Sequence, residues 1–163
     1  PYPGGAALDR KAREGTEGRY PLPRARAGEN PLDMSFSGLK TAAINLIHNA
    51  GQKGEPLVVE DLCADFSAAV SDTLVPRAME ALRRTGCGKL AVAGGVAANS
   101  RIRRDILAAA EQVGAQVYLP PLALCGDNAA MIGAQGYYEY LAGNLGDMTL
   151  NAYATKSILG ETL

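Results

Sequence analysis

The sequence predicts an α/β domain, and three observations carry that prediction. Leu90–Val96 is a short apolar run that ends in the pair Gly94-Gly95. Directly after it, Ile102, Ile106, Ala109, Ala110 and Val113 recur at helical spacing. A second short run, Gln116–Leu119, is stopped by Pro120-Pro121 and leads into another helical stretch. Together they read as buried strand, tight turn, helix, strand and helix. The chain of 163 residues suffices for one domain with its own core. Its 47% hydrophobic and 20% charged residues are the balance of a soluble globular protein.

In chain order, Pro3-Gly4-Gly5 predicts a turn, and Ala6–Glu14 a short helix closed by Gly15. Residues 16–33 are rich in Gly, Pro and Arg and predict an irregular connection with an extended piece near Tyr20–Leu22. Met34–Ser37 alternates apolar and polar residues, which predicts a short strand. Gly38–His48 predicts a helix whose apolar face is Leu39, Ala42, Ala43, Leu46 and Ile47. Within it, Ser37 reads as a cap and Lys40 as solvent-facing; the segment lacks the glycine spacing of a phosphate-wrapping P-loop. Asn49–Glu55 predicts a glycine-punctuated loop.

A long helix is predicted from Pro56 or Leu57 to Thr85, with Leu62, Phe66, Ala69, Val70, Thr73 and Leu74 on one face. Pro76 falls inside it and predicts a kink or division. After the central strand and helix, Gly114 ends the helix. The last helix is predicted from about Asp127 to Leu141, with Asp127 at its start and Tyr137, Tyr138 and Tyr140 along its final turns. Met148–Tyr153 reads as a strand or extended tail, and Ala154–Leu163 as loosely ordered.

Composition narrows the function classes. A net charge of −1 supplies no global field for nucleic acid. The local clusters Arg24/Arg26, Arg83/Arg84 and Arg101/Arg103/Arg104 read as solvated surface rather than RNA contacts. Cys63, Cys87 and Cys125 are odd in number and widely spaced without a C-x-x-C, which argues against a zinc knuckle or a disulfide framework and fits a reducing cytosol. Cys63 and Cys87 read as packing residues, and Cys125 has no base beside it to make it a nucleophile. His48 is the sole histidine and has no ligand-spaced neighbour. No apolar run is long enough to span a membrane, and no signal peptide is expected. The chain opens on Pro1-Tyr2-Pro3 without Met, so it is expected to begin inside a longer protein.

Two places carry candidate chemistry. Gly94 and Gly95 have no Cβ, so a ligand can approach the backbone there. Asn99 suits a helix cap, and its amide can also face a ligand; the helix start offers N–H groups and a positive dipole end to an anion. Asp127 is open to two readings, a helix cap or a carboxylate at the ligand crevice of an α/β sheet.

Four ordered stretches resemble one family. They are YPGG at Tyr2–Gly5, MSFSGLKT at Met34–Thr41, GGVAANSRIRRDI from Gly94, and CGDNAAMIG at Cys125–Gly133. The family is TsaD, the tRNA adenosine threonylcarbamoyltransferases, once described as glycoproteases. The resemblance implies an actin/hexokinase/Hsp70-like (ASKHA) lobe with helical insertions: residues 1–163 a C-terminal lobe, 6–88 largely helical insertion, 89–153 the βαβα core. It implies that Gly5, Gly94, Gly95 and Asn99 bind substrate, and that Asp127 binds one divalent ion, iron or zinc, with two histidines of an H-x-x-x-H helix. This chain has no H-x-x-x-H, so it is expected to be inactive alone and to bind metal weakly or not at all. The implied partners are tRNA, threonylcarbamoyl-AMP, a fold-related TsaB-type subunit and a TsaE-type ATPase. The competing readings are an ASKHA nucleotide-binding ATPase or kinase, the older metallo-glycopeptidase, and an interaction module without chemistry. No H-E-x-x-H supports the peptidase.

Overall fold

The computed structural model describes residues 4–24 and 30–152. Tyr2, Pro3, Arg26, Tyr153 and the 154–163 tail, all assigned a role above, lie outside the described residues. The elements run α1 (Gly4–Ala12), α2 (Ser37–Lys53), α3 (Val59–Thr85), β1 (Lys89–Ala91), α4 (Ser100–Gln112), β2 (Gln116–Tyr118) and α5 (Ala129–Leu141), with 3-10 turns at Gly95–Ala98 and Leu122–Leu124. The chain forms two compact units, 1–126 and 127–163.

In the first unit, α3 is the spine and packs against both α1 and α4. Its core joins Leu22, Leu39, Leu62 and Ala69, with Phe36, Leu46 and Phe66 packed around them. Ile47, assigned to the apolar face of α2, is instead half exposed. Met34–Ser37 forms no strand: four alternating residues find no partner strand, and Phe36 turns into the core while Met34 stays exposed. Ser37 starts α2 without capping it, and Lys40 is exposed. Helix α2 runs through Gly51 to Lys53, beyond the expected loop, because one helical glycine costs only about 1 kcal/mol. Gly4 and Gly5 open α1 rather than forming a free turn.

Helix α3 is not divided at Pro76. The ring removes one N–H, and Arg77 donates from Nη1 to the Thr73 carbonyl at 2.8 Å beside the break. Carboxylates of α3 fasten the irregular connection. Asp65, buried, accepts from the Gly18 and Tyr20 amides at 2.6 and 2.7 Å, and Asp61 accepts from the Thr16 amide at 2.8 Å. Gly15 explains itself by contact: a Cβ there would sit 2.1 Å from the Glu60 carbonyl oxygen, so the bend after α1 meets the start of α3 backbone to backbone. Cys63 is half-buried, and burial followed by the Glu60 carboxylate pushes its thiol up. Cys87 is exposed rather than packed.

Strands β1 and β2 are parallel, pairing Lys89 with Gln116, Leu90 with Val117 and Ala91 with Tyr118. The α4 crossover between them is the connection a parallel pair requires. The strand expected to be buried is not. Leu90 and Val117 are half-buried on one face; Lys89, Ala91, Gln116 and Tyr118 are exposed on the other. Parallel strands become buried only when both faces are covered, and among the described residues one face is open.

In the second unit, α5 carries no buried residue. Tyr137 and Tyr138 meet edge-on at 5.9 Å, and both are exposed, as is Tyr140. Through Ala152 no strand forms. Asp147 accepts from the Thr149 amide and hydroxyl at 2.8 and 2.6 Å, closing a turn instead.

Candidate functional site

The site is built on the turn between β1 and α4. Gly94 has φ +92, a conformation that side chains resist, and this bends the chain out of the strand. Gly95–Ala98 follows as a 3-10 turn, closed by amides of Ala97 and Asn99 donating to the Gly94 and Val96 carbonyls, each at 3.0 Å. Nothing lies within 4 Å of where a Cβ would stand on Gly94, Gly95 or Gly5. The backbone at all three is therefore open to close approach.

Asn99 caps α4: its Oδ1 accepts from the Ile102 amide at 3.0 Å. That bond fixes the amide, and among the described residues Nδ2 is given no acceptor, so it remains a donor for a ligand. Capping and ligand contact are thus compatible in this side chain.

The anion expected at the head of α4 is supplied by the chain itself. Asp9, on α1, accepts through one oxygen, Oδ1, from both the Ser100 amide and the Ser100 hydroxyl at 2.8 Å. Its other oxygen faces Arg13 at 3.6 Å. The first amide of α4 is occupied by Asp9 and the third by Asn99, so the helix end is already neutralised. The same bond ties α1, one turn after Gly5, to the residue following Asn99. Sequence reading missed Asp9, because its partner lies 91 residues away.

Arg101 and Arg103 of α4 serve the chain rather than solvent, while Arg104 stays exposed. Arg101 pairs with Asp105 and Glu17. Asp105 also accepts from the Ser71 hydroxyl at 2.6 Å, locking α4 to α3. Partial burial pushes the Asp105 carboxyl up, but hydrogen bonds from Ser71, Arg101 and Arg104 outweigh it and hold the group below its ordinary 3.8. Arg103 donates to the Ala97 carbonyl at 2.8 Å and the Pro120 carbonyl at 3.0 Å. Arg83 and Arg84 both pair with Glu80 on the helix surface, and Arg24 pairs with Asp72. The solvated reading of Arg101 and Arg103 is thereby corrected.

Cys125 is 4% exposed, and its thiol lies 3.6 Å from the Pro121 carbonyl and 3.7 Å from Arg103. These are packing partners; none is a base. An apolar groove of about 450 Å³ runs below the turn, lined by Leu74, Ala78, Leu90, Val92, Val96 and Ile102 among others. A groove of about 640 Å³ beside Met79, Leu82, Cys87 and Val113 touches none of the motif residues.

Asp127 opens the second unit. The sequence left it between cap and ligand-facing carboxylate, and the cap of α5 is Asn128, whose Oδ1 accepts from the Met131 amide at 3.0 Å. Asp127 is exposed, and no hydrogen bond engages its carboxylate among the described residues. No group of three or more His, Cys, Asp or Glu gathers among the described residues. Asp127 therefore offers one ligand, and the described residues do not by themselves make an ion-holding set.

Residues 1–134 match the TsaD family, described as tRNA N6-adenosine threonylcarbamoyltransferase. Proteins of that name are similar over most of the chain. The one from Moorella thermoacetica is 48% identical over 93% of this chain and 44% of its own length. That of Streptococcus equi subsp. zooepidemicus is 50% identical over the same shares, and that of Clostridioides difficile 43% over 93% and 45%. The chain spans somewhat under half the length of these relatives.

Proposed function

We propose that this chain, which belongs to the TsaD family, is part of an enzyme that moves a threonylcarbamoyl group from threonylcarbamoyl-AMP to tRNA. The acceptor is the N6 amine of the adenosine next to the anticodon. That amine attacks the carbamoyl carbon, the bond from that carbon to the phosphate oxygen breaks, N6 loses a proton, and AMP leaves.

The observation that carries this reading is the turn at Gly94–Asn99. It combines open backbone at two glycines with a side-chain donor, Asn99 Nδ2, held in place by its own cap bond. Such a turn suits a nucleotide approaching closely, with the amide orienting it. Gly5, at the open start of α1, adds a second stretch of accessible backbone on an element that Asp9 fastens to the same helix head. Asp9 already occupies that head, so the glycine backbone and the Asn99 amide are the better partners for the substrate.

We read Asp127 as one ligand of a single iron or zinc ion, supported by the fact that Asn128 does the capping. When bound, the ion polarises the carbamoyl group and orients the adenylate. Among the described residues no group of three or more His, Cys, Asp or Glu gathers to complete its ligand set. The same reading takes residues 1–163 as an ASKHA-type lobe, 6–88 as helical insertion and 89–153 as its core. It places the protein in the cytoplasm with a TsaB-type subunit and a TsaE-type ATPase. Among the described residues no helix is long and apolar enough to cross a membrane.

The test is calorimetric titration of a full-length protein carrying this segment with threonylcarbamoyl-AMP and, separately, ATP. The adenylate is expected to bind more tightly. Tighter ATP binding without transfer to tRNA would replace this reading with a kinase or ATPase of the same fold.

A further inference from the structure

We propose that Arg103 is a positioning residue whose guanidinium fork holds the Gly94–Ala98 turn against the Pro120–Cys125 loop. This rests on the reading of the turn as the adenylate site. Arg103 lies one turn into α4, and its side chain leans back toward the helix start. Nη1 donates to the Ala97 carbonyl at 2.8 Å, and Nη2 to the Pro120 carbonyl at 3.0 Å. Nη1 also lies 3.7 Å from the buried Cys125 sulfur. One planar group therefore spans the turn and the loop that leads to Asp127.

The neighbours behave differently. Arg101 and Arg104 are each paired with a carboxylate. Among the described residues, no carboxylate is paired with Arg103; two carbonyl oxygens and the Cys125 sulfur receive it, and it is half-buried. A surface ion pair adds little, whereas a partly buried guanidinium bridging two loops fixes geometry. A fork is required because two acceptors on separate segments must be met at once, which a lysine's single ammonium on a flexible stem does poorly. Charge alone is retained by lysine, so Arg103→Lys separates the fork from the charge.

The experiment uses the full-length protein. In Arg103→Lys, KM for threonylcarbamoyl-AMP is expected to rise about tenfold while kcat stays within about twofold, since the turn that receives the nucleotide is displaced and the reacting atoms are not. An unchanged KM overturns the proposal, whatever happens to the melting temperature. Amide exchange tests the clamp without turnover. The Ala97 and Asn99 amides, which close the turn, are expected to exchange about tenfold faster in both Arg103→Lys and Arg103→Met. Unchanged exchange overturns the clamp. If the wild-type protein transfers no threonylcarbamoyl group, the functional reading fails, and the exchange rates still decide the role of Arg103.

Discussion

Replacing Asp9 by alanine removes a single carboxylate that joins the first helix to the fourth. Its Oδ1 takes two donors from Ser100, both at 2.8 Å, and its side chain is only 13% exposed. A hydrogen bond to a charged group contributes about 1.5–3 kcal/mol. An anion at a helix start adds about 0.3–1 kcal/mol. Water can reach part of the vacated site, so Asp9→Ala is expected to cost about 2–3 kcal/mol. For a chain of this size that lowers the melting temperature by about 5–10 °C. Asp9→Asn keeps an acceptor but loses the charge, and should cost about 1 kcal/mol. Urea unfolding followed by circular dichroism reads both variants, with the midpoint moving at constant slope. A loss under about 0.5 kcal/mol in Asp9→Ala would mean that α1 does not depend on this bond, and the account of the α4 head would be wrong.

Gly15→Ala drives a methyl against the Glu60 carbonyl and is expected to cost about 1–3 kcal/mol; a neutral or raised melting temperature would contradict the close backbone approach of this bend to α3. The Asp105 carboxyl is held below 3.8 in the folded chain, so its contribution is present above about pH 4 and lost as pH falls through the lower folded value. Asp105→Asn should therefore be less stable than wild type at pH 7, with the gap closing in acid; a gap that widens below pH 4 reverses the sign. Among the described residues Ser67 Oγ is buried without a partner, so Ser67→Ala should leave the urea midpoint unchanged or raise stability by up to about 1 kcal/mol. A clear loss would reveal a bond to this hydroxyl.

What the sequence made legible was local. The α4 cap is three residues from the amide it serves, and its apolar spacing repeats on the core side, so Asn99 and the helix behind it could be read directly. The Gly94 bend was legible for the same reason: glycine is the residue that adopts its φ. The cap of α5 was missed by one residue: the sequence put Asp127 at the helix start, and the residue whose side chain takes the Met131 amide is Asn128, extended at φ −151. The strand expected at Met34–Ser37 failed because alternation over four residues has no force without a neighbouring strand. Asp9, Gly15 and Arg103 were illegible as partners. Each acts on a segment brought to it by tertiary packing, and composition carries no trace of that.

The most direct measurement is the threonylcarbamoyl-adenosine content of tRNA, by nucleoside mass spectrometry, from cells whose only copy of the full-length protein carries Asn99→Ala or Asp127→Ala. With folding confirmed by circular dichroism, the account predicts loss of nearly all the modified nucleoside in both. Normal levels in either variant would contradict the assignment of that residue, and normal levels in both would remove the transferase reading altogether.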